Sequence, residues 1–215
     1  MTRLETFIDA AFAFAVTVMV IGAERVPDNS SALLDAFKNV PAFLASVTIL
    51  AIFWRGHWLW SRRYGLEDGV SIFISWSLLA TILIYIYPLK AVFGSMFFYL
   101  SDGRFGHTLG ARVEGERRII FAVYAIGIIA LGAEILLLYL RAWKLRRALR
   151  LNAREERLTR AELSGWCIPI AVGTVSLVLS QILPARYFPW CGWVYFSMAI
   201  LVPMHRILVR DRAPK

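Results

Sequence analysis

The sequence predicts an all-α integral membrane protein with six transmembrane helices and both termini in the cytoplasm. Three observations lead there. The 215-residue chain is 59% hydrophobic and only 18% charged, whereas a soluble domain is nearer half apolar and a quarter charged. Its apolar residues fall into six blocks about as long as the roughly 20 residues that span a bilayer's hydrocarbon core. Basic residues are distributed unevenly between the two sides that such a topology creates.

The blocks run from Phe7 to Ala23, Pro41 to Trp60, Val70 to Phe93, Ile119 to Tyr139, Gly165 to Leu183 and Phe188 to Leu208. They leave little chain for a separate soluble unit, so residues 1–215 read as one domain. Asp9 inside the first block argues against a cleaved secretory signal, whose apolar core should carry no carboxylate. An even number of spans puts both termini on one side. That side collects Arg3, Arg62, Arg63, the eight bases between Arg141 and Arg160, Arg206, Arg210, Arg212 and Lys215. The other side holds Arg25, Lys38, Lys90, Arg104, Arg112, Arg117, Arg118 and Arg186. The bias, 15 against 8, makes the terminal side cytoplasmic and the location a cell membrane, with the chain multi-pass. It also explains the net charge of +9 without a nucleic-acid partner.

The connections follow from their composition. Pro27, Asp28, Asn29, Ser30 and Ser31 form turns, and Ser30 or Ser31 is placed to cap a short helix before Pro41. The short stretch Tyr64-Gly65-Leu66-Glu67-Asp68-Gly69 makes the second and third helices antiparallel neighbours. Residues 95–116 read as an irregular outer loop. The fourth helix is expected to continue from Arg141 to Arg150 on strong helix formers. Cys167 and Cys191 fall at opposite faces of the membrane, beyond disulfide reach.

The first helix carries the functional signal. On a 3.6-residue wheel Phe7, Phe14, Val18 and Ile21 share a stripe with Thr17 at its edge, and Asp9 lies nearly opposite. A membrane carboxylate needs a named partner. Asp9 is six residues past Arg3, roughly 9 Å along the helix. Trp54 and His57 lie roughly 7 to 12 Å before Arg62 at the end of the antiparallel second helix. The three polar groups therefore share a layer, and a carboxylate accepts from both rings.

These residues also carry a resemblance. Arg3-x-x-x-Phe7-x-Asp9, with the apolar run to Ile21, resembles the first-helix signature of the transmembrane protein 175 family of potassium channels. Phe53-Trp54-Arg55-Gly56-His57 is similar to the family's second-helix stretch, and Pro88 has a counterpart in the third. Six spans of this length match a bacterial single-repeat member. The resemblance implies a homotetramer in the lipid bilayer, with the first helix of each subunit lining a pore permeable to K⁺. It implies an apolar constriction at Phe14, Val18 and Ile21, a pore hydroxyl at Thr17, and a structural polar cluster of Arg3, Phe7, Asp9, Trp54 and His57. Two positions depart from the pattern: Ile8 replaces the signature's Ser, and Phe14 stands where an aliphatic residue is usual.

Other chemistry is sparse. No metal-ligand spacing, nucleophile elbow or phosphate loop occurs, so the sequence predicts no enzyme, no metal and no cofactor beyond K⁺ as the permeant ion. Glu134 lies inside the fourth block. With Asp9 and His57 it would form the relay of the alternative function, a carrier of protons or a small solute.

Overall fold

The computed structural model describes residues 3–21, 28–107 and 114–211. Among them all regular structure is helical. The first helix, α1, spans Arg3–Ile21, and the short α2 spans Ser30–Phe37. The cap of α2 is Asn29, whose side chain accepts the Ala32 N–H, rather than either serine.

Four long helices follow. α3 (Val40–Tyr64) starts with Pro41 in its first turn, where a missing N–H costs nothing. It ends at Gly65, whose φ of 57° is the left-handed conformation that glycine adopts without strain. Three residues later Asp68 caps α4 (Gly69–Leu100) by accepting the Val70 N–H. This tight connection makes α3 and α4 adjacent. α4 runs on to Leu100, further than the apolar block that ends at Phe93. Met96, a good helix former, and the apolar Phe97 and Phe98 carry it into the stretch read as an irregular loop.

α5 (Glu114–Lys144) and α6 (Ala153–Ile182) form the most extensive helix pair. Here two expectations change. The basic stretch after Lys144 is not α-helical: hydrogen-bonded turns carry the chain to Arg150, at φ 52°. The chain then reverses into a capping box. Asn152 accepts from Glu155 N–H, and the Glu155 carboxylate accepts from Asn152 N–H. That box starts α6 a dozen residues before Gly165.

The last block is helical throughout, with one tighter stretch inside it. After a 3-10 turn at Ala185–Tyr187, α7 (Pro189–Trp193), a second 3-10 segment (Val194–Ser197) and α8 (Met198–Asp211) follow in succession. Pro189 fixes where α7 begins, and Gly192, a poor helix former, lies inside it.

The core lies where α1, α3, α4 and α5 meet. Ile8, Met19, Leu50, Trp60, Leu78, Ile82, Leu131 and Ile135 are fully buried there. Among the described residues five helical stretches are long and apolar enough to cross a membrane: α3, α4, Arg118–Lys144, α6 and Trp190–Val209. Only 0% to 39% of each is buried among the others. Much of the remaining surface of these spans is apolar, with Phe73, Ile84, Ile119 and Ile200 largely exposed, which a bilayer covers and water would not. Cys167 and Cys191 are both free thiols, the first exposed and the second buried.

A candidate pore helix and its polar anchors

α1 packs on α3 and α4 through one face. Leu4, Ile8, Phe12, Ala15 and Met19 are buried, spaced three or four residues apart as on a single helical stripe. The face turned away is made of Thr6, Ala10, Ala13, Phe14, Thr17 and Val20, all exposed.

Polar ties hold that orientation, layer by layer. At the N-terminal end, Leu4 N–H donates to Glu67 Oε1 at 3.2 Å. One residue on, Glu5 is 2% exposed and lies 3.1 Å from Arg62 Nε of α3. One turn higher, Trp54 Nε1 donates to Asp9 Oδ1 at 2.8 Å. Near the C-terminal end, Lys90 Nζ of α4 is 3.4 Å from the Met19 carbonyl. An ammonium beside the last carbonyls of a helix complements its dipole.

The structure brings together some of the expected site residues and separates others. Asp9 and Trp54 are bonded. His57 is not with them: it is completely buried, and its Nε2 is 3.1 Å from Ser75 Oγ of α4. The reason is rotation. His57 is at the right depth, but three residues past Trp54 it points about 60° further round α3, towards α4. Phe7 stacks on Trp76 of α4, with centroids 5.6 Å apart at 17°, and Arg3 is exposed. Ile8, in place of the signature's Ser, is fully buried.

Phe14 is 60% exposed. Thr17 is also exposed and donates its hydroxyl to the Ala13 carbonyl at 3.0 Å, so its oxygen lone pairs remain available on that face. Val18 is half-buried and packs against the core. The open face is thus centred closer to Thr17 than to the Phe14-Val18 line. Ile21 closes α1, but its side chain lies outside the described residues.

Comparison with known proteins converges on this part of the chain. Residues 3–88 match the model of the family described as the endosomal/lysosomal potassium channel TMEM175. A potassium channel of Marivirga tractuosa is 29% identical over 219 residues, covering 96% of this chain and 87% of the relative. A crystal structure of a variant of the potassium channel MtTMEM175, in complex with a nanobody–MBP fusion protein, superposes with a TM-score of 0.83. That similarity extends over 98% of this chain and 93% of the solved one, at 28% identity. Residues 3–88 thus resemble the TMEM175 family, and the likeness to whole potassium channels extends over nearly all of the chain. Its relatives are channels and not enzymes.

The segment that matches the TMEM175 family model contains α1, α3 and α4 as far as Pro88, hence the Glu5–Arg62 and Asp9–Trp54 ties. Lys90 lies just beyond it. Sequence reasoning missed Glu5, although the depth arithmetic that linked Asp9 to Trp54 puts Glu5 beside Arg62. It missed Ser75, Ser77 and Thr81 too, because serine and threonine in an apolar helix give no signal until their helical neighbour is known.

Glu134 is far from α1 chemically. Its Oε1 accepts hydroxyls from Ser77 and Thr81 of α4 at 2.7 and 2.8 Å. Asp9, His57 and Glu134 therefore have three different sets of partners and form no relay. Among the described residues no three His, Cys, Asp or Glu side chains gather to hold a metal.

One anchor lies outside the spans. Burial raises the Asp68 carboxyl, but hydrogen bonds from Ser71 and Arg141, and the Arg141 charge 3.0 Å away, outweigh it and hold the group below its ordinary range. Asp68 thereby joins the α3–α4 turn to the end of α5.

Proposed function

We propose that this protein is a potassium-permeable cation channel of the cell membrane, assembled as a homotetramer with α1 of every subunit lining the pore. Residues 1–215 act as one six-span domain, α1 being the sixth span, with both termini in the cytoplasm. One observation carries the reading. α1 is tied to its own subunit on one side and leaves Ala10, Ala13, Phe14 and Thr17 uncovered on the other. A single subunit offers one such face, so a pore must be closed by symmetry.

Phe14, Val18 and Ile21 form the constriction, and Phe14 is its narrowest ring because it is the largest side chain. A narrow apolar ring holds back water and hydrated ions, since it offers nothing in place of the hydration shell. Thr17 supplies an oxygen to a partly dehydrated cation. Asp9 and Trp54, with Phe7 stacked on Trp76, act structurally by fixing α1 in depth and rotation, while His57 ties α3 to α4 and Arg3 marks the cytoplasmic end of α1; none of them conducts.

The test is K⁺ efflux from liposomes containing the purified protein, with the mass of the assembly measured in detergent. A tetramer that passes K⁺ faster than any alternating-access cycle is expected. A monomer, or proton movement without K⁺ efflux, contradicts the proposal and favours a carrier.

A further inference from the structure

Glu134 sits midway along α5, eight percent exposed, facing α4. Its two oxygens are treated unequally. Oε1 accepts two hydroxyl hydrogens, from Ser77 and Thr81. Oε2 is buried and has no hydrogen-bond partner among the described residues. A carbonyl oxygen has two lone pairs, and both are filled here. An ionised carboxylate would leave half its charge on an oxygen in an apolar site with no donor, the arrangement that burial penalises most.

The surrounding groups do not supply a counter-charge. On α5 the nearest charged residue on the same face is Arg141, two turns away and paired with Asp68 at 3.0 Å. On α4 the nearby groups are hydroxyls, and Asp68 stands at its foot. On α3, His57 is bonded to Ser75. α6 meets α5 through Pro169, Ile170 and Gly173, and residues 163–182 carry no charge.

We propose that Glu134, Ser77 and Thr81 form an intramembrane proton-binding site in the α4–α5 groove, separate from the pore helix, in which Glu134 is held as the neutral acid with its proton on Oε2. Ser77 and Thr81 orient the carboxyl by filling Oε1, so the proton has one place to go. The groove opens on apolar surface: Phe73 and Ile84 flank Ser77 on α4, and Leu137 lies one turn past Glu134, all three exposed. The site therefore exchanges with the lipid-facing side of the subunit, where a lipid-soluble reagent reaches it and a charged one does not. The inference does not rest on the channel reading, because no residue of α1 takes part.

Dicyclohexylcarbodiimide reports on such a group. The acid's proton moves to a carbodiimide nitrogen and the carboxyl oxygen bonds the central carbon. The acyl group then shifts to nitrogen, so the protein gains the reagent's whole mass. The full-length protein in liposomes is treated between about pH 5 and pH 9 and the modified residue located by peptide mass spectrometry. Labelling is expected at Glu134, and its rate should fall towards about tenfold per pH unit once the acid ionises. A water-soluble carbodiimide should leave Glu134 unlabelled, and Glu134→Gln should remove the label. The double variant Ser77→Ala, Thr81→Ala keeps the acid but takes two donors from its ionised form, so its labelling should persist to higher pH. No labelling of Glu134 at any pH, a rate independent of pH, or protection by Na⁺ or K⁺ at constant pH would each overturn the proposal, the last by making the site one for a metal cation.

Discussion

α1 and α5 are positioned by opposite means. α5 is gripped from two sides: α4 and α6 pack on it through Tyr124, Ile128, Leu131, Ile135 and Leu138, all buried, while Ile119, Val123 and Ile126 face outward. Backbone approach is close there. A Cβ on Gly127 would lie 2.0 Å from the Tyr85 ring, and one on Gly173 2.8 Å from Ile129. α1 is covered on one side alone and is held by discrete polar ties at Glu67, Arg62, Trp54 and Lys90. A helix covered on one side alone cannot be located by packing from two. Bonds at fixed heights do it instead, and they specify rotation as well as depth.

That contrast can be broken most forcefully in α5. Gly127→Val puts a branched side chain where the Tyr85 ring lies, and Tyr85 is itself bonded to the Tyr124 carbonyl at 2.6 Å. Overpacking of this kind costs about 3 kcal/mol or more, and a large fall in thermal stability in detergent is expected. An unchanged melting curve would mean that α4 and α5 are not jigsaw-packed.

The ties of α1 should give a smaller and more specific effect. Asp9→Ala removes the acceptor of the Trp54 N–H, a loss of roughly 1.5–3 kcal/mol for a bond to a charged group. Assembled yield should drop, with ion selectivity preserved. Introduced on top of Trp54→Phe, the same change should cost little more, because the bond is already gone. Normal assembly with altered selectivity would place Asp9 in the conduction path. Arg62→Gln deprives the buried Glu5 carboxylate of its cation. Since Arg62 is itself half exposed, about 1 kcal/mol is expected, read as a modest shift in melting temperature.

The smallest effect belongs to Asp68, which ties the α3–α4 turn to α5. Its carboxyl is held below the ordinary range by Ser71 and Arg141. The stability this gives is present above the unfolded-state value and is lost as pH falls through the lower folded value. Asp68→Asn should therefore melt less than about 1 kcal/mol below wild type at neutral pH, and the difference should vanish in strong acid. A difference that grows on acidification would contradict the assignment.

Much of this was legible in advance where periodicity and length govern. The long helices follow the apolar blocks, and depth counting along antiparallel helices found the Asp9–Trp54 bond. Depth alone did not find rotation, which is why His57 was expected beside Asp9 and lies against Ser75. The capping box at Asn152 and Glu155 was readable from its spacing, and it sets where α6 begins. The 3-10 stretch at Val194–Ser197 within the last block was harder, since the apolar run continues evenly through it. Val18 fell on the edge of the open face because half of it packs on the core, a choice made by α1's neighbours that no single-helix wheel contains.

The central claim is that the open face of α1 lines the pore, and one paired measurement tests it most directly: single-channel recording of Phe14→Ala and Val16→Ala in planar bilayers. Phe14 is on the open face and Val16 is half-buried off it. Higher conductance with weaker discrimination of K⁺ over Na⁺ is expected in Phe14→Ala, and near wild-type currents in Val16→Ala. Unaltered currents in Phe14→Ala beside altered ones in Val16→Ala would show that a different face of α1 meets the ion.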